Sequence, residues 1–254
     1  MNIRPNRIKQ KLAAGENVYV VSGPNDADWI DEMGPSELDG IWLEGEHGPV
    51  DFGNLGNLTR ACDLWDMTSI VRVNRNDQTL IYRTLDRGAQ GIVVPHVNTR
   101  EEAENVVAGG KFAPIGQRGM FVSRQGFGVD DYFTTANEQS LLIVLIEDIV
   151  AVRNLDEILE VDHIDVFFVA PSDLAASMGY IHDQQNPEVQ HIVDDTLQRI
   201  QKRGRVAGTL ARGDSVERFS AAGVQFLFTA TGPWMISAAK NYKNSGEAGR
   251  KQRG

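Results

Sequence analysis

Short apolar runs alternate with helix-period stretches along the whole chain. The runs at 18–21, 40–43, 70–73, 91–94, 141–146, 166–169, 206–210 and 226–229 read as strands. Leu141-Leu-Ile-Val-Leu-Ile146 carries no polar residue at alternate positions, and neither does Val166-Phe-Phe-Val169. Strands covered by helices on both faces have that pattern, as in parallel sheets.

The stretches between them repeat at helical spacing. Leu55, Leu58, Ala61, Cys62 and Trp65 form one apolar stripe. Thr99 with Glu102 is a capping-box pair that predicts a helix over 100–108. Val152, Leu155, Ile158 and Leu159 mark another helix. Val189, Ile192, Val193, Leu197 and Ile200 mark a longer one, with Gly204 placed to end it.

Eight β-then-α units in 254 residues predict an α/β fold, a single-domain (β/α)8 TIM barrel. A doubly wound open sheet is the alternative. Its glycine-rich phosphate turn is missing, because Val21-Ser-Gly-Pro24 is too short for one. The barrel is expected over 1–242, followed by a frayed polar tail at 243–254, rich in Gly, Lys, Arg and Ser.

Composition narrows the function classes. A net charge of −10 repels a phosphate backbone, which argues against nucleic-acid binding. Cys62 is the lone cysteine, so no internal disulfide can form, as expected of a reducing compartment. Residues 1–15 carry Arg4, Arg7, Lys9 and Lys11 with no apolar signal core after them. No run approaches the ~20 apolar residues of a membrane span. A cytoplasmic enzyme that uses no membrane is expected.

Catalytic groups of such a barrel sit at the C-terminal ends of its strands. Those positions hold Glu44, Glu46 and His47 after the second strand, Arg72 and Asn74 at the end of the third, and His96 after the fourth. Glu147 and Asp148 follow the fifth strand, and Ser172 and Asp173 follow the sixth. Glu147 and Asp173 end sequential strands, and two close carboxylates repel unless a cation lies between them. Oxygen ligands suit a hard ion such as Mg2+ or Mn2+. Capping of the following helices explains the same acids equally well.

His47, flanked by Glu44 and Glu46, suits general acid–base work, or it serves only its own loop. Arg72 can clamp a carboxylate or oxyanion with its planar fork, or it closes the barrel top in an ion pair. His96 either lines the pocket or packs beside Pro95. His163, His182 and His191 read as surface residues, and Cys62 as core. The lysines, at 9, 11, 111, 202, 240, 243 and 251, all fall outside the strands and their C-terminal ends. Imine chemistry is therefore disfavoured, and a metal is left as the electron sink.

Several motifs occur in register: Glu44-Gly-Glu-His-Gly-Pro-Val-Asp51, Val71-Arg-Val-Asn74, Gly88-Ala-Gln-Gly-Ile-Val-Val-Pro95, Gly116-Gln-Arg-Gly119, Glu147 and Ala170-Pro-Ser-Asp-Leu-Ala-Ala-Ser-Met-Gly179. Together, from about Asn6 to Lys240, they resemble the HpcH/HpaI aldolase family, the class II, metal-dependent pyruvate aldolases. The resemblance implies a TIM barrel that cleaves 4-hydroxy-2-oxo acids to pyruvate and an aldehyde, and runs the reverse addition. It implies Glu147 and Asp173 as ligands of Mg2+, Mn2+ or Co2+, Arg72 at the enolate oxygen, and His47 as the catalytic histidine. Asp86 matches the partner of that histidine. It precedes the fourth strand, so it reaches a mouth only from a neighbouring subunit, or else it is structural.

Glu44 stands where the family has Asp and is counted with the catalytic set. Arg72, Ser172, Asp173, Gln117 and His96 are expected to touch substrate. Leu145 replaces a common Gln, and Ala170 a common Gly. The loop 121–133 is expected to set the aldehyde, and a trimer-based hexamer the assembly. An oxaloacetate decarboxylase or macrophomate-type synthase is the enzymatic alternative. A CoA-ester lyase lacks a basic patch for the nucleotide phosphates. A barrel that only binds a metal–oxo-acid complex is the non-catalytic reading.

Overall fold

A computed structural model describes residues 2–251. Eight parallel strands close a barrel in sequence order: β1 (Val18–Ser22), β2 (Gly40–Glu44), β3 (Thr68–Arg72), β4 (Gly91–Val94), β5 (Leu141–Ile146), β6 (Val166–Val169), β7 (Ala207–Leu210) and β8 (Phe226–Ala230). β8 returns to pair with β1 from Val18↔Phe226 to Ser22↔Ala230. The (β/α)8 barrel is the architecture that the hydrophobic pattern predicts.

The two faces of the strands explain why the apolar runs do not alternate. Val20, Trp42, Ile70, Leu141, Ile143 and Phe168 point into the barrel. Val21, Leu43, Val71, Leu142, Val144 and Phe167 point outward into a second core under the helices. Glycines make room for the largest inward side chains. A Cβ on Gly208 would come within 3.0 Å of Phe168 and 3.1 Å of Phe226. Phe168 itself stacks edge-on against Phe226 and Phe228. Truncating a buried ring of this kind typically costs about 3–5 kcal/mol.

The N-terminal end of the barrel is sealed. Ile8, on the helix Arg7–Ala13, plugs the barrel from below. Asn6 caps that helix, and its amide donates to the carbonyls of Gln90 (3.0 Å) and Gln139 (2.9 Å). Lys9 pairs with Asp165, and Lys11 with the buried Asp39. The C-terminal end keeps open space and ionisable side chains.

Three local expectations are corrected. β3 starts at Thr68, because Thr68 and Ser69 are buried despite their hydroxyls. The expected helix around 152–159 is two short helices, Ile149–Arg153 and Leu155–Ile158, broken where the Asn154 amide donates to the Asn98 carbonyl (2.8 Å). The stretch expected as a frayed tail from Lys243 is helical through Lys251, as part of a helix spanning Thr231–Lys251. An Arg250–Glu247 ion pair (3.1 Å) spans its last turn. The rest of the expected tail, 252–254, lies outside the described residues.

That last helix touches the barrel only at its start, where Thr231 is buried. Trp234, Met235, Ile236 and Tyr242 along it are exposed, and so is Tyr19 on β1. Among the described residues no helix is long and apolar enough to cross a membrane.

Candidate active site

The barrel register sets the first contact of the site. Glu44 and Arg72 end β2 and β3 as paired residues. The Arg72 Nε donates to both Glu44 oxygens (3.1 and 2.8 Å), and its second fork nitrogen lies 2.8 Å from Oε2. Its remaining nitrogen lies 3.1 Å from Glu46 Oε2, so the guanidinium is clamped between two carboxylates. Glu44 also accepts the N–H groups of Glu46 (2.8 Å) and His47 (3.1 Å) and the indole N–H of Trp42 (3.2 Å). Burial alone would raise the Glu44 pKa, but Arg72 and the two backbone donors hold it below the ordinary value. A Glu44 so committed acts by fixing Arg72.

His96 follows β4 and Pro95 in a left-handed conformation, with φ of 54°. Such a backbone is strained for any residue with a Cβ and turns up where the chain must aim a group. Here it aims the His96 N–H at Glu147 Oε1 (2.7 Å), and the imidazole Nδ1 lies 3.2 Å from the same oxygen.

Glu147, first after β5, is 3% exposed. Burial raises its pKa, His96 opposes that, and the negative charges of Asp173 and Glu46 raise it further. Asp173 reaches the same region from the first turn of the helix Pro171–Ser177 after β6.

A buried carboxylate beside two other acids is an arrangement that a cation relieves. Glu147 and Asp173 offer oxygen donors suited to a hard divalent ion. Among the described residues no group of three or more His, Cys, Asp or Glu side chains is close enough to hold one. The remaining coordination positions would fall to water and to oxygens of a bound ligand, as in open catalytic sites.

The mouth between these groups is a concave cavity. Trp42, Leu145, Phe168 and Phe228 make its apolar floor, and Arg72, Ser172, Asp173 and Arg212 are polar groups on its wall. An apolar floor with few convergent polar groups is the usual make-up of a small-molecule site. Leu145, where the family resemblance expects an amide, contributes hydrocarbon to that floor.

The structure brings together Glu44, Arg72, His96, Glu147, Ser172 and Asp173. His47 stands on the rim with its side chain 72% exposed, 3.8 Å from Glu46. Ser172 donates to Gln184 (3.3 Å) at the edge of the cavity. Asp86 and Gln117 are not in the mouth of their own barrel. Asp86 accepts from the buried Arg118 (2.8 Å), which also donates to Tyr132 (3.2 Å). The Gln117 N–H binds the Ala108 carbonyl (2.8 Å), near the end of the helix Arg100–Gly110. Both lie towards the sealed end, because helices run back from the mouth to the next strand.

Two groups at the mouth have no role of their own in the sequence pattern. Glu46, a strand-end acid beside His47, reaches both Arg72 (3.1 Å) and His96 (3.8 Å). Arg212 lies two residues past β7, a strand-end position whose signal was available. His163, His182 and His191 are exposed, and Cys62 is buried in the core. Among the described residues no lysine lines the mouth.

Comparison with known proteins gives a consistent relationship. The sequence profile of one family, described as HpcH/HpaI aldolase/citrate lyase, matches residues 18–231. A 2-keto-3-deoxy-L-rhamnonate aldolase of Salmonella gallinarum is 39% identical over 181 residues, covering 69% of this chain and 67% of that protein. A hydroxypyruvate/pyruvate aldolase of Roseobacter denitrificans is 35% identical over 231 residues, covering 89% and 90%. The crystal structure of a HpcH/HpaI aldolase/citrate lyase family protein from Burkholderia cenocepacia superposes with a TM-score of 0.89 at 27% identity, covering 95% of this chain and 99% of that one.

Proposed function

The chain belongs to the HpcH/HpaI aldolase/citrate lyase family, and on that premise we propose that this carbon–carbon lyase is a divalent-metal-dependent aldolase. It cleaves a 4-hydroxy-2-oxo acid to pyruvate and an aldehyde, and runs the reverse addition. The observation that carries the reading is the buried Glu147 beside the charge of Asp173, an acid that lines a cavity walled by a doubly held Arg72. The aldolase names of its relatives support the pyruvate half of the reaction.

Glu147 and Asp173 would hold Mg2+, Mn2+ or Co2+, which when bound supplies electrophilic stabilisation to the ketone oxygen. Arg72 faces the same developing charge. Its two carboxylate partners fix it in advance, so little reorganisation is needed when that charge appears. The C4 hydroxyl loses its proton, the C3–C4 electrons pass into the enolate, and C4 becomes the aldehyde carbon. Protonation at C3 then gives pyruvate. His47, beside Glu46, moves these protons from the rim. Trp42, Leu145, Phe168 and Phe228 keep water away from the enolate. Ser172 and His96 complete the substrate contacts.

Asp86 and Gln117 enter this account only through a neighbouring copy, and the assembly proposed is a trimer-based hexamer. The exposed apolar side chains of the C-terminal helix, Trp234, Met235 and Ile236, support association. The unpaired, buried Cys62 suits a cytoplasmic setting.

Turnover of a simple 4-hydroxy-2-oxo acid, read as pyruvate release, tests the reading. Release is expected. Failure to release pyruvate, with oxaloacetate decarboxylated instead, would replace the aldolase with an enolate-forming decarboxylase.

A further inference from the structure

We propose that Arg212 selects the aldehyde half of the substrate by binding an anionic group, a carboxylate or a phosphate, at its far end. The proposal rests on the aldolase reading and deepens it.

The loop after β7 is pinned at this residue. The Arg212 N–H donates to the Ser215 hydroxyl (2.7 Å), which in turn donates to the Arg212 carbonyl (2.9 Å). The guanidinium has no such restraint. Among the described residues it makes no ion pair and no hydrogen bond, whereas Arg72 has two glutamates and Arg218 has Asp194 (3.0 Å). Arg212 is therefore the uncommitted cation of the mouth.

Its place is equally specific. Arg212, Ser172, Pro171 and Leu210 line the mouth cavity, and the same four residues line a larger groove outside it. They form the threshold between the two. A molecule whose reacting end lies by Arg72 and Asp173 and that extends into that groove passes Arg212. The 2-oxo acid occupies the inner end, so the part that crosses the threshold is the aldehyde's tail.

Charge then decides which tail is favoured. Of the other ionised groups that line the mouth, Glu44 and Asp173 are acids and Arg72 is already held by two glutamates, and the chain carries a net charge of −10. Among the groups lining the mouth, the unpaired guanidinium of Arg212 is the one placed to favour an anionic tail. The guanidinium fork matches carboxylate and phosphate oxygens two at a time. A charge-assisted contact of this kind is worth roughly 10- to 100-fold in binding.

The test is the ratio of kcat/KM for an anionic aldehyde to that for its uncharged counterpart in pyruvate addition. 4-Oxobutanoate against butanal reads the carboxylate arm, and glyceraldehyde 3-phosphate against glyceraldehyde reads the phosphate arm. Wild type is expected to favour the anionic member of one pair. Arg212→Met should lower that ratio roughly 10- to 100-fold, mainly through KM for the aldehyde, and Arg212→Lys should recover part of it.

An unchanged ratio in both pairs overturns the proposal, and so does a wild type with no charge preference. A raised KM for pyruvate with the ratio unchanged would assign Arg212 to the 2-oxo acid instead. If wild type adds pyruvate to none of the four aldehydes, the aldolase reading itself fails and the proposal with it.

Discussion

The backbone N–H of His96 donates to Oε1 of Glu147 at 2.7 Å, from a residue held at a φ of 54°. β4 and β5 are adjacent strands, so this bond ties the end of one to the carboxylate that begins the loop after the other. It orients Glu147 without consuming a side-chain charge and leaves the second carboxylate oxygen for a ligand. The left-handed turn is thus part of how the site is built.

That conformation makes position 96 selective in a readable way. His96→Val should lose about 1–3 kcal/mol of stability, because a β-branched residue tolerates this backbone poorly. His96→Gly should stay within about 1 kcal/mol of wild type, since glycine adopts positive φ freely but has more chain entropy to lose. Urea unfolding of the two variants measures the difference. Equal stability would show that the turn is not held as described.

Asp173 and Arg72 should separate metal binding from turnover. Asp173→Asn is expected to weaken Mn2+ binding at least about tenfold, a loss seen even for groups that only support a ligand. Titration followed by the Mn2+ EPR signal reads this directly. Wild-type affinity in the variant would remove Asp173 from the ligand set.

Arg72→Ala should keep Mn2+ affinity and lose about 10²–10³ in kcat, the usual loss of one preorganised electrostatic contact. Arg72→Lys should not restore it, because a single ammonium cannot span Glu44 and Glu46 as the fork does. Pyruvate release near the wild-type rate in either variant would contradict the proposed role.

At the sealed end, Lys111 is buried, and its Nζ donates to the carbonyls of Asn137 and Ser140 (both 2.6 Å). Burial lowers its pKa from 10.5 to about 8. Between those values the unfolded chain binds more protons than the folded one, so this group makes stability rise with pH across the window. The stability difference between wild type and Lys111→Met should move in favour of wild type from pH 8 to 10.5, by up to about 3 kcal/mol. A difference that does not change with pH would mean that Lys111 keeps its proton in the fold.

The barrel was legible because strands buried on both faces cannot hide their hydrophobicity. β3 begins two residues earlier than its apolar run, where buried hydroxyls find partners: Thr68 donates to Asn6 (3.2 Å) and accepts from the Ile8 N–H (3.3 Å). Glu147 and Asp173 were legible as acids that follow apolar strands. The role of His96 was not, since it depends on a backbone angle that no residue type encodes. Arg212 is not legible in the sequence for a related reason. A free arginine is recognised by the partners it lacks, and those appear only once the chain is folded. Asp86 and Gln117 sit at the far end of their own barrel, which the position of Asp86 before β4 already implied.

Exchange of the C3 protons of pyruvate in D2O, followed by proton NMR, tests the proposed enolate chemistry most directly. Metal-stripped protein should leave the methyl signal intact. Added Mg2+ should make the signal decay, and Arg72→Ala should slow that decay by about 10²–10³. Exchange at full rate after exhaustive chelation, or none with metal restored, would contradict a metal- and Arg72-stabilised pyruvate enolate.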